Sequence, residues 1–321
     1  MPKLLEIEDL TVNFALRGGD LCALNRISFS LDRCERLGLV GESGAGKSVA
    51  GFSILNLISK PGYIASGSVR LMGQEISSLS LEAMRHIRGN RISMVFQDPM
   101  MTLNPVLTIG TQMMETIMTH REMEPDQARE IILDKLRQVQ ISSPEKRMGQ
   151  YPHEFSGGMR QRIIIAIALL NDPELIIADE PTTALDVTIQ AEILDLFRDL
   201  CSQNNMGLIL ITHDLAVVAE TTENMAVMYA GQIVEKGRTR DIVDNPQHPY
   251  TKGLIAALPQ GQPRGAMLNQ IPGSMPTLTS IPRGCSFHPR CLEAMDICLE
   301  KSPDLGDSPN PGSKVACHLF K

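Results

Sequence analysis

Gly41-Glu42-Ser43-Gly44-Ala45-Gly46-Lys47-Ser48 is the stretch from which this chain is best read. It satisfies G-x-x-x-x-G-K-[ST]. The apolar run Leu37-Gly38-Leu39-Val40 before it reads as a buried strand, and residues 48–58 after it read as a helix, which is the setting the motif requires. The glycines let the backbone wrap closely around a polyphosphate. Loop and helix N–H groups then face its oxygens, and Lys47 adds a point charge. The Ser48 hydroxyl is suited to a magnesium ion. A glycine-rich turn without a ligand would need neither all eight positions nor both flanks, so a nucleoside triphosphate site is the expectation.

The bulk composition limits what else the chain can be. With 321 residues, 43% of them hydrophobic, it can form two domains or one large domain with an appendage. No apolar run approaches bilayer length, the longest being residues 163–170, and the opening Met-Pro-Lys-Leu-Leu-Glu has no secretory pattern. A cytosolic chain is expected. A net charge of -7 and the lack of a basic run argue against nucleic acid as a partner. Of the seven cysteines, Cys22, Cys34 and Cys201 are isolated, while Cys285, Cys291, Cys298 and Cys317 gather near the end. In a reducing compartment such a group suggests a metal before disulfides.

Periodicity gives an α/β chain. Residues 4–14 and 23–31 alternate like strands on either side of Arg17-Gly18-Gly19-Asp20 and predict an antiparallel hairpin. Phe14 on the first strand reads either as a core aromatic or as a ring offered to an adenine base. Residues 66–72 and 91–96 read as further strands, the second leading into Gln97. Residues 109–118 and 126–139 read as helices, the latter opened by Pro125. Ser156-Gly157-Gly158 stands before an apolar helix. It is either a second anion-binding helix start or an ordinary helix-entry turn. The strand at residues 175–178 ends in Asp179 and Glu180, and that at 208–212 ends in His213. Beside a phosphate loop, Asp179 is placed to hold magnesium and Glu180 to polarise an attacking water. Polar groups at the ends of buried strands put the site along one sheet edge.

In this order the pieces resemble the ATPase subunits of ATP-binding cassette (ABC) transporters, and among them the dipeptide and oligopeptide importer family, over nearly the whole length. The resemblance implies a P-loop NTPase fold with an antiparallel β subdomain, a helical subdomain and an irregular, cysteine-containing C-terminal extension. It implies an ABC nucleotide-binding domain over 1–240, with the helical subdomain at 98–165, and the extension over 241–321. ATP would be bound by Phe14 and by Gly41, Glu42, Ser43, Gly44, Ala45, Gly46, Lys47, Ser48 and Val49, and magnesium by Ser48, Gln97 and Asp179. Glu180, His213 and Gln97 would act in catalysis. Ser156, Gly157 and Gly158 match the signature that faces a partner's ATP, and Asp186 matches the D-loop. Phe155 and Met159 replace the usual leucine and glutamine around the signature, and Phe14 the usual tyrosine.

The same resemblance implies partners. These are a second, related ABC ATPase in a head-to-tail heterodimer, two transmembrane permease subunits and an extracytoplasmic substrate-binding protein, with the ATPase peripheral on the cytoplasmic face of the inner membrane. The implied activity is ATP hydrolysis powering uptake of peptides or a related small solute. A soluble ABC ATPase acting on DNA or ribosomes is the alternative; it predicts a coiled-coil insertion or two cassettes, and neither is visible. Prolines concentrate from Pro246 to Pro311, and His248-Pro249-Tyr250-Thr251 resembles the opening of the importer extension. That segment has few large apolar residues for a core of its own, so a metal at the four cysteines is expected to hold it together. A [4Fe-4S] cluster, as in some relatives, is the first reading; zinc and free or disulfide-forming thiols remain open. His288 and His318 read as bystanders. The cysteine segment is expected to lie remote from the nucleotide loop.

Overall fold

The computed structural model describes residues 3–98, 102–183, 185–258 and 269–320. The strands, in chain order, are β1 (Leu5–Leu16), β2 (Gly19–Leu31), β3 (Arg36–Val40), β4 (Gly62–Leu71), β5 (Gln74–Glu75), β6 (Ile92–Val95), β7 (Leu175–Asp179), β8 (Gly207–Thr212), β9 (Asn224–Tyr229), β10 (Gln232–Arg238), β11 (Gly306–Asp307) and β12 (Lys314–Val315). The helices are α1 (Lys47–Ile54), α2 (Leu81–Arg85), α3 (Ile109–His120), α4 (Pro125–Gln138), α5 (Pro144–Arg147), α6 (Gly157–Leu169), α7 (Val187–Asn204), α8 (Leu215–Thr221), α9 (Thr239–Asp244), α10 (Pro249–Ala256) and α11 (Asp296–Glu300). The chain divides into two compact units, Met1–Ser78 with Leu210–Lys321, and Leu79–Ile209. Among the described residues no helix is long and apolar enough to cross a membrane.

In the first unit, β1 and β2 form the expected hairpin, within an antiparallel sheet of order β2-β1-β4-β5. Burial along β1 changes parity: Leu5 and Ile7 point inward, then Leu10 and Val12 do. A β-bulge at this point shifts the register against both neighbours, and Asp9 there takes φ 44°. The extra residue turns the second half of the strand over, so a simple alternation would have broken the strand in two. A second run of strands follows the order β11-β12-β10-β9-β3. β3 is parallel to β9 and almost wholly buried, which explains its unbroken apolar run. α1 ends at Ile54, short of the expected Ile58. Asn56 takes the left-handed φ of 50°, and the Leu57 N–H reaches back to the Phe52 carbonyl at 2.8 Å, closing the helix.

In the second unit β6 and β7 pair in parallel, from Ile92↔Leu175 to Val95↔Ala178. α3 packs on α4, and α4 on α6. α3 buries Ile109, Met113 and Ile117, and α4 buries Ala128, Ile132 and Leu136, each set one stripe along its helix. Pro125 is the first residue of α4, where its missing N–H costs nothing.

The C-terminal extension is fastened to the first unit rather than standing as a body of its own. β12 pairs with β10, Glu235 opposite Val315. Glu235 is fully buried and accepts the N–H groups of Gln247 at 2.8 Å and His248 at 3.0 Å; burial pushes its carboxyl pKa up. His248, its pKa lowered to about 3 by burial, is neutral, and its Nδ1 accepts the Tyr250 N–H at 3.1 Å to start α10. Tyr250 and Phe287 then join Tyr229 in one core, with Tyr229–Phe287 and Tyr250–Phe287 ring centroids 5.2 Å and 5.4 Å apart. A segment without a core of its own borrows one.

Phe287 is 3% exposed at this junction. Phe287→Ala is expected to cost about 3–5 kcal/mol in the docking of the extension. Limited proteolysis of the full chain should then cut the extension much faster than in the parent; equal protection would mean that the aromatic junction does not hold it.

Candidate nucleotide and catalytic site

The phosphate loop lies in the first unit, between β3 and α1. Gly46 caps α1 at φ 98°, a left-handed conformation that turns the chain into the helix so that the first helical N–H groups follow the loop directly. Lys47 is 5% exposed and its Nζ donates to the carbonyls of Gly41 (2.8 Å) and Glu42 (3.0 Å), which folds the side chain along the loop. The Gly231 N–H donates to Ala45 O at 2.9 Å, while the Gly231 carbonyl accepts from Asn25 N–H at 2.9 Å, tying the loop to β2 and the β9–β10 turn. Ser43 and Gly44 are exposed; Glu42, Ser48 and Val49 are half-buried.

Phe14, also in this unit, pairs across the sheet with Leu21 and Gly62. Its ring covers the Gly62 Cα, where an added Cβ would meet Cε1 at 2.8 Å, and it is half-buried. It is not sealed in the core. His213 follows β8 and is exposed. The next residue, Asp214, caps α8 by accepting from Ala216 N–H at 2.9 Å and Val217 N–H at 3.3 Å.

The second unit carries the carboxylates. Asp179 ends β7 and is 3% exposed, and Glu180 follows in the left-handed region at φ 45°. Such a conformation is costly for a glutamate and persists where surrounding contacts enforce it, often at functional sites. Those contacts are present: Gln97 Nε2 and Thr183 Oγ1 each donate to Glu180 Oε2 at 2.9 Å. The parallel pairing of β6 and β7 brings Gln97 and Glu180 to the same strand end. A carboxylate held in one pose by an amide and a hydroxyl is suited to orient water and take its proton.

The signature residues start α6. Ser156 caps the helix by accepting the Met159 N–H at 3.4 Å, and Ser156 and Gly157 are exposed. Gly158 lies against α7, where a Cβ would meet Ile189 Cγ2 at 2.7 Å, so only glycine allows this approach. Phe155 is 3% exposed and fills the apolar place ahead of the cap despite its departure from the usual leucine. Asp186 caps α7, accepting the Ile189 N–H at 3.0 Å, and is itself exposed.

The extension departs from expectation in two ways. First, Cys285, Cys291 and Cys317 share one corner with Cys298, their thiol pKa values pushed up chiefly by burial, Cys285 to about 11. Even so, no group of three or more His, Cys, Asp or Glu among the described residues is arranged to hold a metal. The thiol donors suit a metal, but they are gathered without forming a ligand set. His288 Nδ1 bonds the Cys285 carbonyl at 2.9 Å and His318 Nε2 the Lys301 carbonyl at 2.8 Å. Secondly, the cysteine segment is not remote from the phosphate loop. Arg290, between Cys285 and Cys291 of the group, forms a two-pronged pair with Glu42 at 2.9 Å and 3.1 Å, and Tyr250 Oη accepts the Glu42 N–H at 2.9 Å. Neither Arg290 nor Tyr250 was marked by a sequence motif for the loop. Tyr250 lies within the His-Pro-Tyr-Thr segment that signals the extension, and Arg290 had no signal beyond its place among the cysteines.

The ABC transporter family profile matches residues 24–183, and that of the oligopeptide/dipeptide transporter C-terminal region matches residues 234–298. The oligopeptide transport ATP-binding protein OppD of Salmonella typhimurium is 47% identical over 314 residues, covering 98% of this chain and 93% of that protein. The oligopeptide transport ATP-binding protein AppD of Bacillus subtilis is 45% identical over 322 residues, covering 100% and 98%. Among solved structures, a dimeric post-hydrolysis state of the ATP-binding cassette MJ0796 bound to ADP and Pi matches with TM-score 0.66 at 25% identity, over 74% of this chain and 99% of that one. With the phosphate loop, the strand-end carboxylates and this identity over almost its full length, the chain belongs to the ABC transporter family, among the ATP-binding proteins of oligopeptide transport.

Proposed function

We propose that the chain is the ATP-hydrolysing subunit of an importer that powers uptake of dipeptides, oligopeptides or a related small solute through partner permeases. The observation that carries the catalytic part is the fixed pose of Glu180 at the end of β7, in a left-handed conformation and held by Gln97 and Thr183. Similarity that runs through the extension at residues 234–298 supports the peptide branch over other importers.

In this reading, Phe14 stacks on adenine and residues 41–49 hold the phosphates. Lys47 leaves the loop carbonyls to meet phosphate oxygens, and its burial favours such an ion pair. Ser48, Gln97 and Asp179 position magnesium, which supplies neutralisation of charge on the transferred phosphoryl group. Glu180 takes the proton of the attacking water, and His213 stabilises the charge that develops. Ser156, Gly157 and Gly158 face the nucleotide of a partner ATPase, a second related chain in a heterodimer, and Asp186 is the D-loop residue. The remaining partners are two transmembrane permeases and an extracytoplasmic binding protein, with this chain peripheral on the cytoplasmic face of the inner membrane. The nucleotide-binding domain covers 1–240 with its helical subdomain at 98–165, and the extension covers 241–321. Residues 1–2, 99–101, 184, 259–268 and 321 of these spans lie outside the described residues.

Glu180→Gln keeps the shape and removes the base. In the assembled complex it should bind ATP as the parent does and turn over at least about 100-fold more slowly. Near-parental hydrolysis would take the base assignment from Glu180.

The four cysteines are read as holding a [4Fe-4S] cluster, with zinc second. The support is the set of four thiols in one corner, donors of the kind that a cluster or zinc takes. Protein purified without oxygen should be brown, with about four iron and four sulfide per chain. One zinc and no colour would establish zinc, and metal-free protein with a protease-resistant extension would remove both.

A further inference from the structure

We propose that Arg290 is a positioning residue for the phosphate loop, so that the C-terminal extension sets the affinity of the nucleotide site. The proposal rests on the reading of residues 41–48 as that site.

Glu42 is the second residue of the loop, and it is gripped from the extension at both side chain and backbone. The Arg290 guanidinium donates from Nη1 to Oε2 at 2.9 Å and from Nη2 to Oε1 at 3.1 Å. Its Nε donates to the Pro272 carbonyl at 2.8 Å, and its carbon lies 5.8 Å from the Tyr229 ring centroid. The side chain is 6% exposed, against 29% for Glu42. A planar fork matched to a carboxylate and fixed on its other edge cannot be replaced by a point charge. On the backbone side, Tyr250 Oη accepts the Glu42 N–H while the Glu42 carbonyl accepts from Lys47 Nζ.

Two effects follow. Holding Glu42 keeps the loop in shape before nucleotide arrives, which reduces the ordering that binding must supply. Pairing also neutralises a carboxylate that sits in a loop built for a polyanion; left unpaired, it would repel the phosphates. Arg290 lies in the short turn His288–Arg290 directly before Cys291. Whatever loosens that turn, including loss of order at the cysteines, therefore reaches the loop.

The test is equilibrium titration of the full chain with ATP, paired with steady-state kinetics of the assembled complex. Arg290→Met should raise the ATP Kd at least about fivefold, a coupling of ordinary size. The KM should rise in step while kcat at saturating ATP stays within about twofold of the parent. Adding Glu42→Gln to Arg290→Met should recover the part of the loss that comes from the unpaired carboxylate, while the part that comes from the lost grip on the loop remains. A purely structural role for Arg290 would give no such recovery. An Arg290→Met chain that binds ATP like the parent, or a double variant no better than Arg290→Met, overturns the proposal. Should Arg290→Met fail to fold, Arg290→Lys keeps the cation without the fork, and a parental ATP Kd in that variant overturns it equally. Lys47→Ala serves as the control: if it too binds ATP normally, the reading of the loop is what fails, and if it alone loses ATP, only the role of Arg290 does.

Discussion

A loop that turns its N–H groups toward a polyphosphate has to be held from behind, because the groups that face the ligand cannot also anchor the loop. In this chain the anchoring comes from several places. Gly231 donates to the Ala45 carbonyl, Lys47 lies along the carbonyls of Gly41 and Glu42, and Tyr250 and Arg290 hold Glu42 by its N–H and its carboxylate. The last two come from the C-terminal extension. The extension thereby backs the phosphate loop, linked through His248 and the buried Glu235 to β10.

Local signals were legible in the sequence. The phosphate loop, the strand ending in Asp179 and Glu180, the serine cap of α6 and the proline that opens α4 each depend on neighbours a few residues away, and each lies where its pattern points. What could not be read depends on distant partners or on one residue's backbone. The left-handed turn at Asn56 cut α1 short, and the bulge near Asp9 turned β1 over partway along. The Arg290–Glu42 pair joins residues 248 apart, and neither a lone arginine nor a loop glutamate carries a pattern that announces the other. The sequence placed Gln97 at a strand end but not against Glu180, because that contact follows from the pairing of β6 with β7.

The cysteines illustrate how composition shows one source of order and hides another. A proline-rich tail with few large apolar residues suggested that a metal must hold it. Instead, much of its attachment is apolar and shared: Phe287 packs on Tyr229 and Tyr250, and β12 extends the run that contains β10. A metal at Cys285, Cys291, Cys298 and Cys317 would add to this attachment rather than create it, and through Arg290 its consequences would reach Glu42.

Whether the extension backs the phosphate loop can be measured at one atom. Amide hydrogen exchange at Glu42, followed in the full chain before nucleotide is added, reads the hydrogen bond to Tyr250 Oη directly. Tyr250→Phe removes that acceptor and keeps the ring. The Glu42 amide should be protected in the parent and exchange at least about tenfold faster in the variant. Equally rapid exchange in both chains would contradict the account.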